Sequence, residues 1–263
     1  MRGANDDGVA VRMDMGADLS DVLQTAARLV VGVACTFSGV FLSMTILSPT
    51  EAVTLVIALA GPPLVALIGR RSEGVRPFML CQILLVALAT IALWCALGPL
   101  SLSAAALGLR VPDLATVAFA AAMTGFFVVV LGPILMRLPA VLGLRGFDDG
   151  LRTLARLPVW SLCVAVAVGG IAEEVLYRGV ALAILTDAGL GSLAAAARVV
   201  SAFAVAHVPL GGIGPALTTA VSGAALTGFY LWHGDLVANM LAHVATDFVG
   251  IVLGPLMTRR LGR

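Results

Sequence analysis

Eight apolar stretches, each close to the length that crosses a lipid bilayer, take up most of this chain. They run at about 27–48, 51–69, 78–98, 114–136, 158–186, 192–208, 214–232 and 235–257. A helix needs roughly 17–25 residues to cross a hydrocarbon core of about 30 Å. Lipid offers the backbone no hydrogen-bond partner, so only helices and closed barrels span it. A barrel would show short alternating segments with polar residues turned inward. These runs are long and unbroken. The expected fold is all-α, a polytopic transmembrane helical bundle of about eight spans.

Composition excludes the other classes. Of 263 residues, 60% are hydrophobic and 12% charged, against about 45–50% and about 25% in soluble domains. The mean hydropathy is +1.06. No single soluble core could hide that much apolar surface, and charge this scarce is not the signature of a disordered chain. Cys35, Cys81, Cys95 and Cys163 all lie inside apolar runs with no C-x-x-C spacing, so they read as small buried hydrophobes rather than a disulfide or metal framework. A net charge of +1 gives no footprint for nucleic acid. All sixteen basic residues are Arg, which reads as coding bias rather than chemistry.

Arginine placement orients the bundle. With the N-terminus in the cytoplasm, thirteen arginines (Arg2, Arg12, Arg28, Arg70, Arg71, Arg76, Arg137, Arg145, Arg152, Arg156, Arg259, Arg260 and Arg263) fall on the cytoplasmic side. Only Arg110 and Arg198 fall opposite. That positive-inside bias supports eight spans with both termini cytoplasmic, in a multi-pass protein of the plasma (inner) membrane. The chain then divides into a polar cytoplasmic tail (1–24), four N-terminal spans (25–157) and a motif-bearing core of four spans (158–263). The sixth span is short and meets Pro209. The third could run on through Pro99 to Leu109 as a broken or re-entrant piece. Gly61-Pro62, Gly98-Pro99, Gly132-Pro133 and Gly254-Pro255 are expected to kink or end helices.

Four spans are anonymous; three of the others hold groups that lipid penalises. A charge at mid-membrane costs about 2.5–3.5 kcal/mol on insertion scales. Ile171-Ala-Glu-Glu-Val-Leu-Tyr-Arg-Gly179 places Glu173, Glu174 and Arg178 inside the fifth span. Glu174 and Arg178 are four residues apart and can pair. Glu173 lies about 100° round the helix, stacked over Tyr177. A Glu-Arg bridge that only locks helices together would account for Glu174 and Arg178 but leaves Glu173 over. That free carboxylate suits general base and acid work.

His207 ends the sixth span. Asn239, His243 and Asp247, spaced by four, form one polar stripe on the eighth. A lone buried histidine is more often a satisfied core residue. Several polar groups on neighbouring spans must find one another, so the three helices are expected to converge on one cavity. His233, beside Trp232, reads as an interface residue. Phe203, one turn before His207, is either plain packing or a wall that fixes the imidazole.

Glu173-Glu174-x-x-x-Arg178, then Phe203-x-x-x-His207, then His243-x-x-x-Asp247 resembles the three-motif signature of the CPBP family, the CAAX prenyl endopeptidases and bacteriocin-processing intramembrane proteases. The similarity covers roughly residues 158–250. It implies a helical-bundle endopeptidase in which Glu173 activates a water while His207 and His243 hold the water and the substrate carbonyl. The last motif position is often Asn in the family, proposed to stabilise the oxyanion; here it is Asp247. An ionised Asp cannot donate to an oxyanion. Either Asp247 is protonated, or it orients His243, or another donor such as Asn239 serves.

Activated water is also the reaction type that the residues themselves allow, since no Gly-x-Ser-x-Gly is present and no cysteine sits beside a motif histidine. Glu173, His207 and His243 could bind zinc as a His₂-Glu set, although the His-Glu-x-x-His pattern is absent; the resemblance favours a mechanism with no required cofactor. The expected partners are a peptide or membrane-protein substrate and the lipid bilayer. Two other readings stay open: a non-catalytic membrane partner or immunity protein of the same family, and a proton-coupled transporter built on the same intramembrane ionisable groups.

Overall fold

A computed structural model describes residues 47–70, 74–144, 153–154 and 156–254. The polar tail 1–24 and the first expected span 27–48 lie outside the described residues, as do the arginines of both termini. Seven long helices make up the described part, which contains no strand. They are α1 (Pro49–Arg70), α2 (Val75–Leu97), α3 (Leu114–Val141), α4 (Val159–Asp187), α5 (Ser192–His207), α6 (Ile213–His233) and α7 (Leu236–Leu253). Six of them are long and apolar enough to cross a membrane, with α5 counted through Leu210. The exception, α6, has the length, at 21 residues, but is diluted by Thr, Ser and Gly. The chain is thus a multi-pass helical membrane protein; the described residues hold six candidate spans, with α6 as a further helix of spanning length, against an expected total of about eight.

The surface is largely apolar, and a few charged and polar side chains are held inside an apolar core. Trp94 is 67% exposed and Val129 74%, whereas Arg178, Glu174 and Asn239 are fully buried. Water would reverse that distribution; lipid selects it. α4 is the hub, packed against α1, α2, α5 and α7, while α3 closes over α7 and α5 over α6. The main core gathers Leu55, Ala58 and Leu59 of α1, Ala89 and Ala92 of α2, and Val199 and Phe203 of α5 around Leu176, Tyr177 and Val180 of α4.

Three helices contain a π segment, where hydrogen bonds run i→i+5. Two end beside a Gly-Pro pair. In α3 the segment Phe127–Leu131 precedes Gly132-Pro133, and the Gly132 N–H donates to the Phe127 carbonyl. A proline ring crowds the carbonyl four residues earlier and offers no N–H, so the turn widens instead of breaking. In α7 the segment Phe248–Leu253 precedes Gly254 in the same way. The third, Glu174–Ala181 in α4, has no proline and carries the first motif; π turns of this kind recur at functional sites.

The third span does not continue past Pro99. α2 ends at Leu97, and the segment 98–113 turns back to bury Leu107 in the core. It is pinned where the Leu236 N–H donates to the Gly108 carbonyl at 2.8 Å. Gly108 has φ +70°, and a Cβ there would stand 2.7 Å from the Tyr230 hydroxyl, so both backbone and space demand glycine. Beside it, Asp235 caps α7, its Oδ1 accepting from the N–H of Val237 (2.9 Å) and Ala238 (3.1 Å). Its Oδ2 accepts from Thr116 Oγ1 at 2.6 Å. This clasp fixes the start of α7, and with it the depth of Asn239, His243 and Asp247.

Candidate active site

The three motif helices meet on one side of α4. Glu174 is at the centre and is saturated. Its Oε1 accepts from Arg178 Nη1 at 2.9 Å and faces His243 Nδ1 at 2.9 Å; its Oε2 accepts from Asn239 Nδ2 at 2.7 Å. A carboxylate can only accept, so the His243 proton on that side sits on Nδ1. Arg178 is satisfied in turn, donating from Nε to Thr227 Oγ1 (3.1 Å) and from Nη2 to the Gly223 carbonyl (3.1 Å). Its guanidinium carbon stands 4.4 Å over the Phe203 ring, a cation–π contact. Five side chains and the Gly223 carbonyl, from α4, α6 and α7, thus form a network in which every charge has a partner.

Glu173 stands just outside it. Its side chain is 17% exposed, its nearest ionic neighbour is His243 Nε2 at 3.9 Å, and no hydrogen bond holds it among the described residues. His207, His243, Asp247 and Arg178 are the ionisable neighbours that act on it. Asp247 Oδ2 is 3.5 Å from the same His243 Nε2, with a side chain 36% exposed. His207, half-buried, has Nδ1 2.9 Å from the Phe203 carbonyl. That oxygen also can only accept, so His207 too carries a proton on Nδ1 and turns Nε2 elsewhere. One Arg and two imidazoles therefore face three carboxylates.

Phe203 is a wall between the two sides. Its ring lies edge-on to Tyr177 (5.1 Å between centroids), His207 (5.0 Å) and His243 (6.2 Å). It can approach Arg178 because residue 223 is glycine: a Cβ there would come within 2.6 Å of Phe203 Cδ1 and 3.2 Å of Arg178 Nη2. Gly170 serves α4 and α7 in the same way, since a Cβ would meet Val244 Cγ2 at 2.8 Å. The glycines set the helix spacing that brings the motifs within hydrogen-bond reach.

All nine residues singled out from the sequence lie in or against this cluster: Glu173, His207, His243, Asp247, Glu174, Arg178, Phe203, Asn239 and Tyr177. One expectation is corrected. Asn239 is not available to an oxyanion, because its Nδ2 donates to Glu174 and to the Leu226 carbonyl at 3.2 Å. The sequence marks Thr227 and Gly223 only as part of the stretch 223–230, with no role of their own. Their signal was a hydroxyl one turn after a glycine on an otherwise apolar helix. His233 sits apart in the α6–α7 turn, stacked on Phe119 and accepting the Asp235 N–H on Nδ1 at 2.8 Å. Among the described residues no group of three His, Cys, Asp or Glu side chains is placed to hold a metal ion.

No curated protein and no solved structure matches the chain. The family model described as type II CAAX prenyl endopeptidase Rce1-like matches residues 155–249, the stretch from the start of α4 into the last turns of α7. The segment that holds all three motifs is therefore similar to the Rce1-like type II CAAX prenyl endopeptidases, which those motifs also resemble.

Proposed function

We propose that the chain is an intramembrane endopeptidase that hydrolyses peptide bonds with a water activated by Glu173. One observation carries this reading: of two adjacent glutamates at the same depth, Glu174 is fully hydrogen-bonded and closed off, while Glu173 has no hydrogen bond among the described residues, is partly open and has only a long ionic contact to His243. A carboxylate held so loosely inside a membrane bundle is not needed for packing and is costly to keep. It is placed to take a proton from a water that the neighbouring imidazoles hold.

The reaction balances on the residues present. Glu173 takes one proton from water as the hydroxide oxygen bonds to the scissile carbonyl carbon. The carbonyl oxygen becomes an oxyanion, and the imidazolium N–H of His243, donating from Nε2, neutralises it beside the His207 ring. The C–N bond then breaks, with the Glu173 proton delivered to the leaving amine. Glu174 and Arg178 do not touch the reacting atoms. Glu174 fixes the orientation of His243 through Nδ1 and balances the positive charge of its imidazolium. Asp247, at ion-pair distance from His243 Nε2, orients that ring from the open side. No metal is required by this scheme, and the substrate is a peptide or membrane protein with its cleavage site in the cytoplasmic half of the bilayer, because His207 ends α5 on the side where the arginines place the cytoplasm.

The test is cleavage of a quenched fluorescent peptide library, including prenylated C-terminal peptides, by the purified full-length protein in detergent. Glu173→Gln should lower kcat/KM by about 10²–10⁴-fold, the usual contribution of a positioned acid-base group, with the melting temperature unchanged. Wild-type activity that survives a chelator supports the metal-free scheme. Cleavage retained in Glu173→Gln, or no cleavage by wild type, overturns the reading.

A further inference from the structure

Among the described residues a few buried polar atoms have no hydrogen-bond partner: Tyr177 Oη on α4, His233 Nε2 on α6, Asn239 Oδ1 and Thr246 Oγ1 on α7, and, alone in the half of the chain with no motif, Gln82 Oε1 on α2. Gln82 is 9% exposed, and its Oε1 is buried with no hydrogen-bond partner among the described residues. α2 belongs to the half of the chain with no motif and lies outside the matched segment 155–249. An amide left unpaired at membrane depth is as unfavourable as an unpaired charge is conspicuous, so its presence calls for a reason.

Its position supplies one. Gln82, Val86, Ala89 and Leu93 recur at i, i+4, i+7 and i+11, one face of α2. The last three line the groove between α2 and α4, so this face looks at α4. The Gln82 Oε1 comes within 4.0 Å of the place a Cβ would occupy on Gly169. Gly169 is one turn before Glu173 on the same face of α4, about 6 Å along the axis. One turn further out on that face is Tyr177. Towards the cytoplasm the seam is closed by Phe78, Leu162, Val166 and Val252. Gln82 thus sits above an apolar floor and against Gly169, one turn from Glu173, with its carbonyl oxygen uncommitted.

We propose that Gln82 binds the main chain of the substrate beside the scissile bond. The inference rests on the endopeptidase reading. A carboxamide carries one carbonyl acceptor and an N–H donor, the same pair that a peptide unit presents. A peptide drawn into a low-dielectric site loses its water, and each exposed backbone N–H must find a new acceptor. Glu173 and the histidines are occupied with the water and the scissile carbonyl. Gln82 Oε1 supplies the acceptor for a neighbouring substrate N–H. Recognition through the main chain leaves substrate side chains unread at this point, and it gives the motif-free half of the protein a part in the site.

The test pairs a substitution with a change in the substrate. Gln82→Met keeps the length of the side chain and removes the amide. With the best peptide from the fluorescent library, it should raise KM about five- to tenfold, the value of one hydrogen bond, with kcat and melting temperature little changed. Ester replacements of single backbone amides flanking the scissile bond remove one N–H at a time. One ester position should raise the wild-type KM by a similar factor and should not raise that of Gln82→Met further. A merely structural Gln82 would leave the ester penalty equal in both proteins, and that result, or an unchanged KM in Gln82→Met, overturns the proposal. If Gln82→Met fails to fold, Gln82→Asn, which draws the same amide back by one methylene, is read in the same way. Cleavage by wild type with no effect at Gln82 removes this inference alone; absence of cleavage by wild type removes the endopeptidase reading and this one with it.

Discussion

Two neighbouring glutamates on one helix, Glu173 and Glu174, sit in opposite environments. Around Glu174 the molecule is closed: three side chains donate to one carboxylate, and the cation among them, Arg178, spends its remaining donors on Thr227 and Gly223. Around Glu173 it is loose. The nearest ionic contacts are 3.9 Å and 3.5 Å, and the side chains of Glu173 and Asp247 keep 17% and 36% of their exposure. The difference teaches how a membrane protein separates holding from reacting. Groups that hold must be saturated, since lipid penalises every unmet donor. Groups that react must keep a free lone pair and room for a small molecule beside it. His243 is the hinge between the two: Nδ1 belongs to the closed side, Nε2 to the open one.

The largest effect expected is from opening the closed side. Glu174→Ala leaves Arg178 and His243 buried without their anion, and breaking a buried pair by removing one partner costs about 3–5 kcal/mol. The variant should melt at much lower temperature in detergent, and cleavage should vanish with the fold. The contrast with Glu173→Gln, in which activity falls and stability stays, is what the comparison stands on. A Glu174→Ala protein that melts like wild type would break it, because the two glutamates would then differ in place but not in kind.

A smaller effect separates the sides through the wall they share. Gly223→Ala puts a methyl within 2.6 Å of Phe203 and 3.2 Å of Arg178. The ring must move, and overpacking of this sort costs about 1–3 kcal/mol. Phe203 touches His207 and His243 as well as Arg178, so cleavage should fall more than the loss of stability explains at a temperature where the protein is still folded. Activity that follows only the folded fraction would mean that Phe203 is packing and not a wall to the site.

Much of this was legible in the sequence, and the reasons for what was not are physical. Lipid makes helical spans visible as runs of apolar residues, and it makes each buried charge conspicuous; Glu173, Glu174, Arg178, His207 and His243 announce themselves on those grounds. The i,i+4 spacing of Glu174 and Arg178 carries through to a 2.9 Å contact even though the helix there is wound as a π segment. What spacing along one helix cannot give is the partner across helices. Asn239 looked free for an oxyanion because the stripe it shares with His243 and Asp247 says nothing of Glu174 on another helix. Gly223 and Thr227 are ordinary in an apolar span until Arg178 is seen to reach them. Gln82 gave no pattern at all, and only the packing of α2 on α4 sets it against Gly169, one turn from Glu173.

The smallest effect tests whether pairing or burial governs the cost of losing a carboxylate. Asp113 is paired like Glu174 but exposed. It caps α3 in a reciprocal box with Thr116: its Oδ1 accepts the Thr116 N–H at 2.9 Å, and the Asp113 N–H donates to Thr116 Oγ1 at 3.3 Å. The hydrogen bond from the Thr116 backbone holds the Asp113 carboxyl below its ordinary pKa. A folded-state pKa lower than the unfolded one means that the unfolded chain binds the proton more readily. The cap's stabilisation is therefore complete above the ordinary Asp range, about pH 4, and fades as pH falls through the folded value. Asp113→Ala should lower the melting temperature slightly at pH 7, leave cleavage unchanged, and differ less from wild type as the pH is taken down. The measurement is the melting temperature of both proteins against pH. A gap as large as that of Glu174→Ala would show that pairing alone sets the cost, and the contrast between the closed and open sides of α4 would then owe nothing to lipid.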